Sequence, residues 1–320
     1  MRTAFFNAVT ALCAADRRVM LITADLGFGH VERFAARFSE QFLNVGVAEQ
    51  NLAGVATGLA LSGRHVFVYS IGNFPTMRCL EQVRNDICYH RAHVTIVTSG
   101  GGLSYGSLGM SHHVTEDLAI MRSLPNMTVI APGDPIEAGA ATLSAARLDG
   151  PCYLRLARAG DRNVHGESID FTIGRAVVVR RGDDVTLIST GGMLDAAVRV
   201  ADRLRAERSL SVRVLSMHTV KPLDEHAISA AARETRGVVT LEEHSIVGGL
   251  GGAVAEVIAD RTLSVPFARV ALPSTFISVA GSQEYLRSAY GLSDDTIAET
   301  IQRIAAVHSA LGGSWRGGVG

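Results

Sequence analysis

The chain has 320 residues, of which 47% are hydrophobic, and its 30 basic residues nearly balance its 31 acidic ones. This length allows a large core and about two domains, whereas the near-zero net charge excludes the basic surface that non-specific nucleic-acid binding needs. No stretch approaches the about 20 consecutive apolar residues of a membrane-spanning helix, so we predict a soluble protein with no membrane partner.

The first residues, MRTAFFNAVTALCAADRR, contain an apolar stretch that Asn7 and Thr10 interrupt. We therefore predict an amphipathic helix there rather than a cleaved leader. The four cysteines of the chain are scattered and include no Cys-x-x-Cys pair. That spacing is unlike a disulfide framework or a zinc site, and it favours a reducing, cytoplasmic setting.

Short β-branched runs alternate with helical patterns along the first half of the sequence. The predicted strands are 19–23, 42–45, 65–70, 93–98, 127–131 and 152–156. The predicted helices are 3–16, 48–61, 76–90, 115–123 and 134–147, the last with Asp134 as N-cap and proline after it. Buried strands that alternate with helices indicate a parallel sheet covered on both faces.

A polar stretch at 161–171 interrupts this alternation and predicts a linker between domains at 1–160 and 172–320. After it, the predicted strands are 174–179, 185–189, 212–216, 238–241 and 267–272. The predicted helices lie near 193–207, 224–235, 249–260 and 293–309. The fold class is therefore α/β, with two consecutive three-layer domains and mainly parallel sheets.

Ligands bind such sheets at the carboxyl ends of the strands. Four loops that follow strands of the first domain are rich in glycine and polar residues, at 24–30, 46–51, 70–78 and 100–113. The sequence thus predicts the functional site on the first domain.

Glu49 lies in the segment NVGVAEQN, where a strand end and a glycine turn lead into an Ala/Gly-rich helix. A carboxylate in the first turn of a helix is favourable for structural reasons alone. However, the neighbouring Val45, Val47 and Leu52 would leave the carboxyl group poorly hydrated, and poor hydration prepares such a group for proton transfer.

NVGVAEQN resembles the segment around the catalytic glutamate of the transketolase superfamily, which includes transketolase, deoxyxylulose-phosphate synthase and the β subunits of 2-oxoacid dehydrogenase decarboxylases. In that family the glutamate hydrogen-bonds N1′ of the aminopyrimidine ring of thiamine diphosphate and promotes loss of the proton from thiazolium C2. The resemblance implies thiamine diphosphate as the cofactor, with Glu49 as a catalytic and cofactor-binding residue.

The loop SIGNFPTMR resembles the family loop whose aromatic residue stacks on the aminopyrimidine ring, which implies that role for Phe74. Arg78 resembles an arginine that some relatives direct towards the active site, although an ion pair with nearby Glu81 is an equal alternative. Asp25, in ITADLG, matches an acidic residue on the cofactor side of the subunit interface and is assigned to the cofactor site.

The longest resemblance is GGGLSYGSLGMSHHVTEDLAIMRSLPNMTVIAPGDP, at 100–135. It implies that His112 lies beside the cofactor adduct and moves protons on the substrate, and we place His113 and Ser104 with it as substrate contacts. A metal site at the His-His pair is a weaker alternative, because no further ligands follow at suitable spacing. We predict no metal bound by this chain itself.

Two positions of this segment depart from transketolases proper. Leu108 replaces the Asp of their D-G-P-T-H motif, and Gly100 replaces a substrate-binding histidine. The loss of two polar sugar contacts implies a less hydroxylated or differently placed substrate. Arg158, in PCYLRLARAG, resembles an arginine that grips the phosphate of sugar phosphates; Arg155 would point to the opposite face of the strand, so we choose Arg158.

MHTVKPLD and LEEHSIVGGLGGAVAE, in the second half, are also typical of the family. A glycine-rich loop before a helix is able to cradle a phosphate, and His244 is a candidate catalytic residue. In the family, however, this domain binds no cofactor, so we interpret both features as structural.

The family holds its Mg²⁺-diphosphate with a GDG motif and an Asn pair in a separate domain, and this sequence contains neither element. We therefore expect a partner, an N-terminal transketolase subunit with the diphosphate-binding domain, that binds Mg²⁺ or Ca²⁺ and shares the cofactor in an α₂β₂ heterotetramer. The leading hypothesis is transfer of a two-carbon ketol unit from a ketose or ketose phosphate to an aldehyde. The alternatives are a β subunit of a 2-oxoacid dehydrogenase decarboxylase or a deoxyxylulose-phosphate-synthase-like enzyme, and a non-catalytic structural or regulatory homologue.

Overall fold

The computed structural model describes residues 1–157, 162–166 and 168–310, the last three without side chains. The strands in these ranges are β1 (Val19–Thr23), β2 (Phe42–Asn44), β3 (His65–Ile71), β4 (Val94–Ser99), β5 (Thr128–Ile130), β6 (Cys152–Leu156), β7 (Val177–Arg180), β8 (Val185–Ser189), β9 (Val212–Ser216), β10 (Thr219–Lys221), β11 (Val238–Ser245) and β12 (Phe267–Leu272). The α-helices are α1 (Arg2–Ala15), α2 (Val31–Arg37), α3 (Glu49–Leu61), α4 (Leu80–Gln82), α5 (Asp117–Ser123), α6 (Pro135–Ala145), α7 (Leu194–Arg208), α8 (Glu225–Glu234), α9 (Leu250–Asp260), α10 (Gln283–Ala289) and α11 (Asp294–Ala310).

Two sheets organise these elements into two α/β domains, which confirms the predicted fold class. The first sheet has the order β10-β5-β6-β4-β3-β1-β2 and is parallel except for the β10–β5 pair. The second sheet has the order β12-β11-β8-β9-β7 and is parallel except at its β7 edge.

The central strands of the first sheet, β1, β3, β4 and β6, are buried on both faces, as expected for parallel strands covered by helices. Along β3, Val66 and Val68 pack into a core that includes residues of α3, whereas Phe67 and Tyr69 pack into a core with α1 and α6. This alternation follows the two-residue repeat of a strand. The near-continuous apolar runs in the sequence therefore reflect a sheet with a helical layer on each side.

Asp134 is the N-cap of α6, and its carboxylate also hydrogen-bonds the segment that follows the first domain. Its Oδ1 accepts a hydrogen bond from the backbone N–H of Glu137 at 2.8 Å, and proline occupies the first helical position, as predicted. Its Oδ2 accepts from the backbone N–H groups of Val164 and His165, each at 2.9 Å. One buried carboxylate thus joins a helix start to the predicted linker.

The structure differs most from the predicted elements at one strand and three helices. Strand β10 was not predicted, because three residues are too few for a periodic pattern; it pairs antiparallel with β5 and so extends the first sheet from the second half of the chain. Helices α2 and α10 were also missed, since each has only seven residues. The helix predicted at 76–90 is instead the short α4 followed by a π-helical turn at Val83–Cys88.

The order of the strands brings the four polar loops together. Strands β4, β3, β1 and β2 are neighbours in the first sheet and all run parallel. Their carboxyl ends therefore share one edge, and the loops that follow them are adjacent there. None of the helices in the described ranges is long and apolar enough to cross a membrane.

Candidate functional site

Glu49 is the first residue of α3 and is almost completely buried, with 3% of its surface exposed. Its carboxylate is paired with Arg78, whose Nη1 lies 2.9 Å from both Oε1 and Oε2. Arg78 is therefore the partner of Glu49, and the alternative pairing with Glu81 is wrong. The sequence did not predict this counter-charge, because the two residues lie 29 positions apart.

Phe74 lies between the arginine and the histidine of the predicted site. The Arg78 guanidinium carbon is 4.5 Å from the centroid of the Phe74 ring, a distance at which a cation interacts favourably with the ring face. The His112 ring meets Phe74 edge-on, with centroids 5.6 Å apart. The structure thus brings together Glu49, Phe74, Arg78 and His112, which we call the Glu49 cluster.

Two asparagines that sequence reasoning had not singled out hold the loops around this cluster. Asn73 donates from Nδ2 to the backbone carbonyl oxygen of His113 at 2.6 Å and so ties the Phe74 loop to the histidine pair. Asn44 accepts at Oδ1 from the backbone N–H groups of Asp25 and Gly46, at 2.9 and 3.0 Å. Asn73 lies in the loop at 70–78, and Asn44 ends β2 just before the loop at 46–51; these positions were the available signal.

Asp25 is exposed at the carboxyl end of β1, and its backbone φ is +55°. The side chain of Asn44 bonds both the Asp25 backbone and its carboxylate, the latter at 3.2 Å. Because Asn44 also fixes the Gly46 turn before α3, Asp25 belongs to the same loop framework as Glu49. The structure gives it no direct hydrogen bond to the Glu49 cluster within the described residues.

Ser104 and His113 are buried in this structure, with 2% and 4% of their surfaces exposed. The Ser104 hydroxyl donates to the carbonyl oxygen of Gly101 at 2.7 Å and accepts from Gln283 at 3.2 Å, so it supports its own loop. Burial lowers the pKa of the His113 imidazole and favours its neutral form. Their predicted role as substrate contacts stays a prediction.

Arg158, the predicted phosphate contact, lies outside the described residues. Arg155, the residue that we did not choose, is buried. Its Nε donates to Asp117 Oδ2 at 2.8 Å, and its Nη2 donates to the carbonyl oxygens of Val114 and Glu243 at 2.7 and 3.1 Å. With its guanidinium engaged in this way, Arg155 is a structural residue.

Comparison with known proteins identifies both halves of the chain. Residues 1–160 match the model of the transketolase pyrimidine-binding domain, and residues 174–297 match that of the transketolase C-terminal domain. The chain belongs to the transketolase family. These domains imply that thiamine diphosphate is the family's cofactor here too.

The relatives extend over almost the whole chain. A Methanocaldococcus jannaschii protein named after the C-terminal section of transketolase is 38% identical and covers 94% of this chain and 95% of its own length. A protein from Phocaeicola vulgatus, named as one subunit of an apulose-4-phosphate transketolase, is 34% identical, covering 93% and 95%. A solved structure described as a split-gene transketolase, an inactive β4 tetramer, is 37% identical with a TM-score of 0.87, covering 96% and 98%.

The two departures from transketolases proper have visible consequences in the structure. At Gly100, where φ is +91°, an added Cβ would lie 2.1 Å from the ring of Tyr105. The tyrosine therefore fills the space beside the backbone where transketolases carry the histidine. Leu108, in place of the Asp, is 54% exposed and offers no polar group to a sugar hydroxyl.

Exposed apolar side chains lie on all four loops at this edge of the sheet. We call this set the apolar rim: Phe28, Val47, Met77, Leu108 and Met110, whose exposed fractions run from 36% to 74%. A group of large exposed apolar residues on a protein surface marks an interaction site more often than scattered ones do.

The C-terminal transketolase domain hydrogen-bonds the glycine-rich loop of the first domain. Glu243, near the end of β11, accepts from the backbone N–H of Leu103 at 2.9 Å, from Gln283 at 2.9 Å and from Arg287 at 2.5 Å. At Gly102, with φ +66°, an added Cβ would lie 2.6 Å from the Glu243 carboxyl carbon. This close approach explains why glycine is needed there.

The contact between Glu243 and the glycine-rich loop lies where an α/β sheet usually binds its ligand. Strand β8 has β11 on one side and β9 on the other, so the strand order reverses there, and such a reversal creates a ligand crevice at the carboxyl ends. Arg287 bridges the crevice, because it also donates to the carbonyl oxygen of Gly192 after β8, at 3.3 Å. The first domain's loop takes the usual place of a ligand.

The glycine-rich loop before α9, in the second domain, has a structural role. The carboxylate of Glu242 accepts from the backbone N–H groups of Leu250 and Gly251 at the start of α9, both at 2.7 Å. The carboxyl group of Glu242 therefore already occupies the helix end at which a phosphate would bind. His244 is fully buried, and its Nε2 accepts from the backbone N–H of Ala119 at 3.3 Å. Among the described residues, no group of three or more His, Cys, Asp or Glu side chains is placed to hold a metal ion.

Proposed function

We propose that this chain is the pyrimidine-binding half of a transketolase-type enzyme, which transfers a two-carbon ketol unit from a ketose or ketose phosphate to an aldehyde. The Glu49 cluster is the observation that carries this proposal. It combines a buried carboxylate, an aromatic face beside it and a partly exposed histidine at the edge of that aromatic ring. Thiamine diphosphate, once bound, supplies the carbon nucleophile and the electron sink for cleaving the bond next to a carbonyl.

The position of Arg78 tests whether the cluster fits the aminopyrimidine ring. Its guanidinium is planar, lies over Phe74 and donates to Glu49 at the same time. A planar nitrogen heterocycle whose ring nitrogen hydrogen-bonds a carboxyl group needs these same two partners. The residues present therefore fit the ring, because another planar group already occupies both of them.

Each residue of the cluster has a task in this proposal. Glu49 would hydrogen-bond the ring nitrogen and exchange a proton with it, and its burial would strengthen that bond by excluding water. Phe74 would hold the ring by stacking, a contact worth about 0.5–1.5 kcal/mol. His112 would hold or release the proton of a substrate hydroxyl. Its Nδ1 lies 3.0 Å from the Ser111 hydroxyl, which leaves Nε2 for the substrate.

The remaining predicted residues complete the proposed site around this core. Asp25 and Arg78 would contact the cofactor, and Ser104 and His113 would contact the substrate after the glycine-rich loop rearranges. Arg158 would bind the phosphate of a phosphorylated substrate. None of these contacts is required for the role of Glu49, so each is open to separate mutational testing.

A partner subunit would supply the diphosphate-binding domain and its Mg²⁺ or Ca²⁺. Two features support this: relatives of similar length are named as subunits or as a split-gene product, and the apolar rim, on the loops at the sheet edge that carries the cluster, is a surface suited to a protein contact. An α₂β₂ heterotetramer in the cytoplasm, with two sites between unlike chains, is the arrangement we propose.

Decarboxylation of a 2-oxo acid is the second candidate function. The observation that favours it is the lack of polar groups at Leu108 and Gly100, where transketolases proper bind sugar hydroxyls. A 2-oxo acid would not need those contacts.

Activity of the reconstituted complex tests the proposal. The chain and its partner subunit should transfer a ketol unit only when combined, and Glu49→Gln should abolish turnover while assembly and circular dichroism stay unchanged. Glu81→Gln, the same change at an exposed site, is the matched control. Carbon-dioxide release from pyruvate would favour the second function. Full activity of Glu49→Gln would contradict both functions, and would favour a non-catalytic role for this residue.

A further inference from the structure

We infer that Arg78 is an internal occupant of the cofactor ring's position: its guanidinium caps Glu49 and Phe74 in the free chain and is displaced when the aminopyrimidine binds. This inference rests on the proposed function. It goes further in assigning to one residue a competition with the cofactor, so Arg78 would act as a gate as well as a contact.

The geometry supports competition because both partners of Arg78 are the partners that the ring requires. Nη1 lies 2.9 Å from each oxygen of Glu49, and the guanidinium carbon lies 4.5 Å above the Phe74 ring. The ring cannot stack on the same face of Phe74 and bond the same carboxylate while the guanidinium remains there. One of the two planar groups must leave.

Arg78 is the mobile member of the ion pair. Half of its side-chain surface is exposed, compared with 3% for Glu49, which is fixed in the first turn of α3. The long arginine stem can therefore swing into solvent without unpacking the core. Its backbone stays in place, since the Arg78 carbonyl oxygen accepts from Gln50 at 3.3 Å and its N–H donates to the carbonyl oxygen of Asn73 at 3.3 Å.

Departure of Arg78 removes the positive charge that is paired with Glu49. The other titratable groups nearby are Cys79, buried beside the pair, and His112, on the far side of Phe74. Burial, together with the charge of Glu49, raises the pKa of the Cys79 thiol to about 12, so it stays neutral. Among the described residues, a Glu49 carboxylate that loses its guanidinium has no other cation in contact, so the incoming ring takes over as its hydrogen-bond partner. Cofactor binding is thus an exchange of an arginine for a ring.

Calorimetry of thiamine diphosphate binding tests this exchange without relying on activity. The complex of this chain with its partner subunit is titrated with the cofactor at pH 7, and the heats give the apparent dissociation constant. In Arg78→Gln, no planar cation lies on both Glu49 and Phe74, so the ring's position is open for a larger fraction of the time. We expect the apparent dissociation constant of this variant to be lower than that of wild type by about threefold or more.

Arg84→Gln is the matched control, because Arg84 lies a short way further along the chain, is exposed and bonds its neighbour Asn85 rather than the Glu49 cluster. It should match wild type in its apparent dissociation constant for the cofactor. Equal constants in all three proteins would overturn the inference and leave the proposed function intact. Absence of cofactor binding in every protein, including wild type, would instead refute the proposed function, and the inference with it.

Arg78→Lys provides a second test if Arg78→Gln does not assemble. Lysine keeps the positive charge but is a point donor that cannot bridge both carboxylate oxygens while lying flat on the aromatic ring. A weaker internal occupant leaves the site open for a larger fraction of the time. The apparent dissociation constant for thiamine diphosphate should then fall by about threefold or more. An unchanged or larger constant would contradict the inference.

Discussion

Replacing Arg155 with methionine removes one half of a buried ion pair beneath the candidate site. Arg155, on β6, is 4% exposed, and its partner Asp117 at the start of α5 is fully buried. The guanidinium also bonds the backbone of Val114 and Glu243, so it joins the histidine segment to the second domain. Methionine keeps the length of the side chain but provides no donor.

The expected loss of stability follows from the contacts that Asp117 keeps in the variant. Asp117 would keep a hydrogen bond from the Tyr153 hydroxyl but would lose its only cation among the described residues. Removing one partner of a buried pair usually costs about 3–5 kcal/mol, because the other charge is left uncompensated. The control is Arg180→Met: Arg180 pairs with Asp202 at the surface, with 39% and 54% of the side chains exposed, and such pairs contribute about 1 kcal/mol or less.

Urea unfolding followed by far-ultraviolet circular dichroism measures both free energies, at one fixed protein concentration because assembly shifts apparent stability. The reasoning predicts that Arg155→Met loses at least about 2 kcal/mol more than Arg180→Met. If the two variants unfold at the same urea concentration with the same slope, the ion pair does not have the importance assigned to it.

Three further predictions concern the glycine-rich loop, the linker and the specificity of the site. Gly102→Ala should lower the free energy of unfolding by about 1–3 kcal/mol, since φ is +66° and the new methyl group would clash with the Glu243 carboxyl group. Gly139→Ala, in open space on α6, should raise the free energy of unfolding by up to about 1 kcal/mol, and thermal unfolding compares the two variants. Burial lowers the pKa of His165, but the hydrogen bond and charge of Glu137, 2.7 Å away, outweigh burial and leave this pKa above 6.5. The protonated histidine therefore stabilises the fold below pH 6.5, and this contribution disappears as pH rises through the raised pKa. In urea unfolding, the difference in stability between wild type and His165→Asn should be largest near pH 6 and shrink towards pH 9. A difference in stability that does not depend on pH would refute the pairing. Leu108→Asp should raise kcat/KM for a polyhydroxylated ketose by about tenfold, the value of one hydrogen bond to a charged group, and a decrease for every ketose tested would refute the assignment of this position to substrate recognition.

The fold was largely predictable because the central strands of its sheets are buried on both faces. Runs such as β1 and β6 are mainly apolar, and their predicted bounds are confirmed to the residue. The pattern failed where an element was too short to repeat, as in β10, α2 and α10. The pairing of β10 with β5 joins residues about 90 positions apart, and no local pattern carries such information.

The site was predictable from its loops but not in its contacts. The sequence named Glu49, Phe74, Arg78 and His112, and strand order brings them to one edge. It could not pair Glu49 with Arg78, because that contact depends on how the β3 loop folds over the start of α3. The same limit hid the role of Asn73, whose partners are backbone atoms on another loop.

Exchange of the thiazolium C2 hydrogen tests the role of Glu49 most directly. The cofactor-loaded complex is mixed with deuterium oxide, quenched in acid, and the C2 signal is followed by NMR, with no substrate present. We predict exchange at least about a hundredfold slower in Glu49→Gln than in wild type, in line with the usual contribution of a positioned proton-transfer group. Equal exchange rates in the two proteins, with the cofactor bound to both, would contradict the claim that this carboxyl group activates thiamine diphosphate.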